Sequence, residues 1–335
     1  MTPPSPERMP TLPALLGTGL PSVLADCRPH TGPILAITRL TGGNVSHVFR
    51  VGGQDGSVIV KIRGSRFARI PALRTNPALI ADERRALKLY GATVPHVFPQ
   101  VLAFHPTAHA MVLSDVFLDQ RNYHEHLHQR PATIAEMTRL GGAARSIHHA
   151  TREARLPRRS PSDERFPPYA VDFCLRSQGH AALDAACEQM TARPDRQLIL
   201  GDLAPKNLSL AAGTVAVCDL DNVHRGWPLY DVGYFLAHLL IHHLQRPHHL
   251  PVLVPALLQG YLGTQTLQPG EERLMATVTA GVIVYRLADS PVPYPLVQPP
   301  AVVERCRERV LCLLDSGTVT VDDLVRATGA REAAA

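Results

Sequence analysis

Asp202, Asn207 and Asp219 are the residues of this chain whose types and spacing could do the most chemistry. They lie in Leu198-Ile-Leu-Gly-Asp-Leu-Ala-Pro-Lys-Asn-Leu-Ser-Leu210 and in Val215-Ala-Val-Cys-Asp-Leu-Asp221. An apolar strand delivers Asp202, a loop stiffened by Pro205 follows, and Asn207 opens the next strand. The Ala211–Thr214 turn folds the chain back beside Asn207, so that Asp219 emerges where the apolar run Val215–Cys218 stops. A turn using Asp, Pro and Asn for local hydrogen bonds would account for the first two residues alone. The second acid tips the balance, because two acids and an amide converging from one hairpin are costly without a cation. Acid, amide, hairpin, acid is the order that phosphoryl transfer from Mg-ATP needs. One carboxylate takes or orients the acceptor hydroxyl proton, while the amide and the second carboxylate hold metal on the phosphates.

Such chemistry also needs a grip on the phosphates. Lys61 ends the strand Val58-Ile-Val-Lys61, and a lysine among apolar neighbours needs an anion or a carboxylate partner. Glu83, on the amphipathic run that follows, is the expected partner. Gly42-Gly43, shortly before that strand, would let backbone N–H groups approach phosphate oxygens, although any hairpin could use such a pair. Arg63, Arg66, Arg69 and Arg74 read as a solvated basic loop. His238 and His242 stand one helical turn apart, a spacing that can bind metal. With no third ligand nearby in sequence they read as a helix face. His243, His248 and His249 read as a His-rich surface, and His124, His126 and His128 likewise.

The elements that must position these groups follow from periodicity. Strands are expected over Leu35–Leu40, Val45–Val51, Ser57–Ile62 and His109–Leu113, separated by Gly-rich turns. Residues 78–90 read as an amphipathic helix, and Ser114-Asp115 as a connection between lobes. Helices are then expected over Thr133–Thr151, Ala181–Ala192, Asp231–His243, Pro251–Leu262, Glu271–Leu287 and Val302–Leu314. Residues 1–11 are Pro-rich and read as loose. Leu12–Ala25, broken by Pro13 and Pro21 and lacking a basic flank, reads as a short helix capping the small lobe rather than a leader.

Bulk composition narrows the function classes. At 335 residues, 45% hydrophobic and 19% charged, the chain has enough material for two packed lobes. The net charge of +5 comes from scattered basic residues, which disfavours a nucleic-acid partner and suits an anionic ligand. Six cysteines without close pairs indicate neither a disulfide framework nor a zinc knuckle, and fit a reducing cytoplasm. No apolar run approaches a membrane span, so no membrane partner is expected.

Taken together, the motifs resemble the aminoglycoside phosphotransferase, methylthioribose kinase and choline kinase group. The matching pieces are Thr-Gly-Gly-Asn-Val-Ser-His-Val-Phe-Arg-Val, Val-Ile-Val-Lys61, the Glu83 helix, Gly-Asp202-Leu-Ala-Pro-Lys-Asn207, Asp219-Leu-Asp221 and Trp-Pro-Leu-Tyr-Asp231-Val-Gly-Tyr-Phe. They occur in the family's order over roughly residues 33 to 240. The resemblance implies an α+β, bilobal protein-kinase-like fold. A loose N-terminus and capping helix (1–30) would precede a small antiparallel β N-lobe with one main helix (31–114) and a larger helical C-lobe (115–335).

It further implies Asp202 as catalytic base, Asn207 and Asp219 as Mg2+ ligands, and Lys61 with Glu83, Gly42 and Gly43 as the ATP clamp. Met111–Asp115, including Leu113 and Asp115, would be the adenine hinge. Lys206 and Asp221 are auxiliary candidates, Asp231 a buttress of the catalytic loop, and Arg286 with Asp289 a tie between helices. The implied activity is ATP- and Mg-dependent phosphorylation of a hydroxyl on a small molecule: a sugar, thiosugar, amino alcohol or aminoglycoside-like compound. Acids (Asp163, Glu164, Asp172, Asp184, Glu188) mixed with Arg159, Arg165 and Arg176 in the expected acceptor wall do not favour a polyamine, and a neutral sugar or thiosugar fits at least as well.

Two positions depart from the family pattern. Leu200 stands where His commonly precedes Gly-Asp, and Ser114 where the hinge commonly has an acid. The alternative reading, resting on Leu200, is a pseudokinase that binds nucleotide or a partner without catalysis. The acceptor, ATP versus GTP, and the oligomeric state are not written in these motifs.

Overall fold

The computed structural model describes residues 9–40, 43–117, 119–156, 171, 174–288, 294 and 298–329. The chain divides into two units, Met1–Leu118 with Ala216–Asp221, and Asp119–Val215 with Asn222–Ala335. The short segment carrying Asp219 and Asp221 therefore groups with the N-terminal residues.

The first unit is built on a five-stranded antiparallel sheet in the order β1-β2-β3-β5-β4. The strands are β1 (Ile34–Leu40), β2 (His47–Gly53), β3 (Ser57–Ile62), β4 (Val101–His105) and β5 (Ala110–Ser114). β2 buries every second residue, the period of a strand with one covered face. Helices α1 (Leu12–Leu16) and α2 (Leu20–Thr31) cover that face: Leu12, Leu16, Val23 and Cys27 pack with Phe49, Val51, Val58, Val60, Ile62, Ala110 and Val112. The same alternation turns Lys61 to the opposite face, where its Cα partners are Val48 and Met111. Helix α3 (Ile80–Thr93) supplies that face, with Ile80, Glu83, Leu87 and Tyr90 on one buried stripe. Helical and strand periods thus bring Glu83 to Lys61. β4 lay outside the sequence expectation, since it is short and weakly patterned, and the one capping helix expected over Leu12–Ala25 is two helices, α1 and α2.

The second unit is mainly helical. Helices α4 (Tyr123–Gln129) and α5 (Ile134–Ala150) come first, and α5 opens on a reciprocal capping box between Thr133 and Glu136. Helices Ala181–Ala192, Pro228–His242, Leu250–Leu262, Pro269–Leu287, Pro300–Asp315 and Val321–Gly329 follow. The Pro228–His242 helix is apolar on all sides, and every residue from Leu229 to His242 is buried. A helix of that pattern can only be central. The strand Gln197–Ile199, paired antiparallel with His224–Gly226, leads into the Asp202 loop. No helix among the described residues is long and apolar enough to cross a membrane.

Candidate active site

In the first unit, Lys61 is the centre of a buried charge cluster. Its Nζ donates to Glu83 Oε1 at 2.6 Å and to Asp219 Oδ1 at 2.7 Å. Burial pulls the Lys61 ammonium down, but the carboxylates of Asp219, Glu83 and Asp221 outweigh it and hold it above the ordinary lysine range. Burial, with Asp219 and Asp221 adding to it, pushes Glu83 up against the pull of Lys61. Arg63 is the second cation: its Nη1 lies 3.5 Å from Asp221 Oδ2, and Thr75 Oγ1 accepts from its Nη2 at 3.0 Å. Three carboxylates therefore face two cations, a surplus of negative charge that suits a divalent metal. Asp219 also sits at φ 65°, in the left-handed region. That conformation is rare for a residue with a Cβ, costs on the order of 1–3 kcal/mol, and concentrates at functional sites.

The remaining members of the expected clamp fall on the same unit. Gly43 lies in the β1–β2 connection, and Gly42 is outside the described residues. Leu113 is buried in β5, pairing with Ile59. The Asp115 carboxylate accepts from Arg50 Nε at 2.6 Å and Ser57 Oγ at 2.7 Å, which leaves its backbone as the part suited to a ligand. Ser114, where an acid was expected, ties β5 to Gln100, whose N–H donates to Ser114 Oγ at 2.9 Å.

In the second unit the Asp202 loop is held from below. Gly201, at φ 76°, adopts a backbone that a side chain would strain, and a Cβ there would collide with the Asn222 carbonyl. Asp231 Oδ2 accepts from Leu200 N and its Oδ1 from Gly201 N, each at 2.8 Å. His148 Nε2 lies 2.9 Å from Asp231 Oδ2, and its Nδ1 2.9 Å from Tyr261 Oη. At the top of the loop, Asn207 Nδ2 donates to the Asp202 carbonyl at 3.0 Å and to Asp202 Oδ2 at 3.1 Å. Lys206 Nζ is 3.1 Å from the same Oδ2. Asp202 Oδ1 is buried and has no hydrogen-bond partner among the described residues. A buried carboxylate oxygen left this way is expensive unless something binds it, and an acceptor hydroxyl or a cation would satisfy it. Both residue groups thus fit Mg-ATP chemistry.

Asp202, Lys206 and Asn207 come together in one unit, and Lys61, Glu83, Asp219 and Asp221 in the other. Two readings of the sequence are corrected. Arg63 is not in a solvated loop: it is 2% exposed, and its place two residues after Lys61 was the signal, since strand residues two apart share a face. His124 and His243, read as parts of a His-rich surface, are buried, as are His238 and His242 on their helix. The apolar surround of the Pro228–His242 helix carried that information. His148 was missed altogether, because nothing local in sequence links it to Asp231. Arg286 is buried, donates to Tyr234 Oη at 2.6 Å and lies over the Tyr294 ring at 5.3 Å, while Asp289 is outside the described residues. Of the acceptor wall, Arg159, Asp163, Glu164, Arg165 and Asp172 also fall outside them.

Solved structures share this architecture. An amicoumacin kinase, solved with AMP-PNP, Ca2+ and Ami, gives a TM-score of 0.59 at 15% identity, over 90% of this chain and 94% of its own. A choline/ethanolamine kinase family protein from Mesorhizobium loti gives 0.55 at 19% identity, over 92% and 98%. Choline kinase LicA from Streptococcus pneumoniae gives 0.52 at 14% identity, over 89% and 99%. At these identities the likeness is one of fold: bilobal, α+β and protein-kinase-like, with a small antiparallel sheet lobe and a larger helical lobe. No curated protein matches the chain in sequence. The family model described as "Phosphotransferase enzyme family" matches residues 36–276, from β1 through the Asp202 loop and into the Pro269–Leu287 helix. That match spans more than half of the chain, and the chain belongs to the phosphotransferase enzyme family.

Proposed function

We propose that the protein transfers the γ-phosphoryl group of Mg-ATP to a hydroxyl of a small molecule. The observation that carries this reading is the Asp202 carboxylate, one oxygen held by Asn207 and Lys206 and the other buried without a partner among the described residues. In this role Asp202 Oδ1 accepts the hydrogen bond of the acceptor hydroxyl and takes its proton as the oxygen attacks in line. Asn207 and Lys206 fix the carboxylate so that it need not reorganise. Lys206 offsets charge on the transferred group, and Lys61, kept cationic by its carboxylates, pairs with the nucleotide phosphates. Asn207 and Asp219 would hold Mg2+, with Asp221 behind them. When bound, the ion neutralises charge on the phosphate oxygens. Leu113 and Asp115 would meet the nucleotide base through backbone groups. The acceptor is a sugar, thiosugar, amino alcohol or aminoglycoside-like compound, a neutral sugar or thiosugar fitting at least as well as a polycation.

The pseudokinase reading draws on Leu200, a buried apolar residue at a position that is usually polar in the family. The His148–Asp231 pair weighs against it, since an imidazole from α5 backs the loop in place of residue 200. ADP release from Mg-ATP should be measured over a panel of sugars, methylthioribose, amino alcohols, nucleosides and aminoglycosides, with Asp202→Asn as the blank. Acceptor-dependent ADP that vanishes in the blank is expected. Nucleotide binding with no turnover, indifferent to Asp202→Asn, would favour the pseudokinase.

A further inference from the structure

Outside the candidate site, the second unit holds one concentrated set of metal-ligating side chains among the described residues. His124 and His128 lie one turn apart on α4, and His242 ends the Pro228–His242 helix. His124 Nδ1 is 3.1 Å from His242 Nε2, and one nitrogen from each of the three rings lies within 4.8 Å of the others. The His124 ring meets His128 at 4.2 Å and His242 at 4.8 Å between centroids. Tyr294 Oη closes the group, 3.1 Å from His124 Nδ1 and 2.8 Å from His242 Nε2. His238, one turn earlier, packs its ring on Tyr294 at 4.8 Å.

Hydrogen bonding alone leaves this cluster unsatisfied. His124 Nε2 and His128 Nε2 are buried with no partner among the described residues, as are both nitrogens of His238. A buried ring nitrogen without a partner is unfavourable, and a cation held by one nitrogen from each of the three rings would use donor atoms that already lie within 4.8 Å of one another. The nearest lysine, Lys206, is engaged by Asp202 at 3.1 Å.

We propose that His124, His128 and His242 form a zinc site, with Tyr294 beside its fourth position, that ties α4 to the end of the Pro228–His242 helix. Three imidazoles and an oxygen suit a borderline ion of tetrahedral preference, with zinc–nitrogen bonds of about 2.0–2.1 Å. Reaching that geometry requires His128 to swing inward, and it is the least buried of the three. Hard Mg2+ would prefer the oxygen donors of Asn207 and Asp219, so the two metal requirements do not compete.

The full chain, stripped with a chelator, should be titrated with Zn2+ by calorimetry and with Co2+ by visible absorption. One ion per chain, intense tetrahedral Co2+ bands and a rise in Tm with Zn2+ are expected. His128→Ala, which removes a half-buried ring and spares the core, should weaken Co2+ binding by at least about tenfold, and His242→Gln should abolish the tetrahedral bands. Exposed His248→Ala is the control and should change neither. Circular dichroism confirms that each variant is folded. Absence of tetrahedral bands overturns the proposal, and so does uptake that survives both His128→Ala and His242→Gln.

Discussion

Asp231 caps the approach to Asp202 by accepting the Gly201 amide at 2.8 Å on one carboxylate oxygen, while its other oxygen takes the Leu200 amide. Asp231 is fully buried, and His148 reaches the same carboxylate from α5 at 2.9 Å. The aspartate is thus the single acceptor for two backbone donors and an imidazole, and the conformation of the Asp202 loop depends on it. Removing one partner of a buried charged pair costs about 3–5 kcal/mol, so Asp231→Ala should lower stability on that scale in chemical denaturation. Asp231→Asn keeps one acceptor oxygen and should lose less. His148→Leu should reduce kcat while leaving nucleotide affinity near that of the parent, as measured by titration with an ATP analogue.

Asp202→Asn preserves shape and hydrogen bonding to Asn207 but removes the proton acceptor. General-base contributions of about 10²–10⁴-fold set the expected fall in kcat, with KM for the acceptor little changed. An equal fall in kcat and unchanged Mg-ATP affinity would separate a catalytic role from a structural one.

Lys61 Nζ is shared by Glu83 and Asp219, so Lys61→Met removes the cation that both carboxylates face. Loss of about 10²–10³-fold in kcat/KM is expected, together with weaker nucleotide binding. Glu83→Gln should be milder, because Asp219 still accepts from Lys61 at 2.7 Å. Asp219→Ala should abolish Mg-dependent turnover, and a preparation that keeps full activity after that change would exclude the proposed metal role.

Two buried histidines predict an acid limb in stability. His243 Nε2 accepts from Ala132 N at 3.2 Å and its Nδ1 donates to the Leu239 carbonyl at 2.8 Å, which requires a neutral ring. His47 Nδ1 is 2.7 Å from Arg39 Nη2 and must also accept. Burial is the main cause that pushes each down to about 4, with nearby cations adding to it. The unfolded chain therefore binds more protons than the folded one below about pH 6.5. Stability is complete above that pH and is lost as pH falls toward 4, by up to about 1.4 kcal/mol per pH unit for each ring. Thermal melts between pH 7 and pH 5 measure the slope, and His243→Gln should flatten it.

Gly141 on α5 and Gly260 on the Leu250–Leu262 helix lie where the two backbones nearly touch. A Cβ on Gly141 would run into the Leu257 carbonyl, and one on Gly260 into the Thr138 carbonyl. Backbone cannot yield as a side chain can, so Gly141→Ala should cost about 1–3 kcal/mol despite its better helix propensity. A Tm measurement decides the sign.

The chemistry-bearing positions were legible because they are local. Asp202, Pro205 and Asn207 follow one another within one loop, and backbone connectivity alone keeps such residues near each other. The strand through Lys61 and the helix through Glu83 were legible from periods of two and 3.6, and both ends of the ion pair lie on the faces those periods predict. What no window of sequence contained was the pairing of distant elements. His148 with Asp231, Arg63 with Asp221, Arg50 with Asp115, and His124 with His242 are separated by 65 to 158 residues or so, and only side-chain packing selects them from many equivalent candidates. The histidines show the difference most plainly. Their spacing on each helix is a sequence property, but whether an imidazole meets water or two other imidazoles depends on which face of α4 and of the Pro228–His242 helix the core claims, and that is settled by tertiary burial.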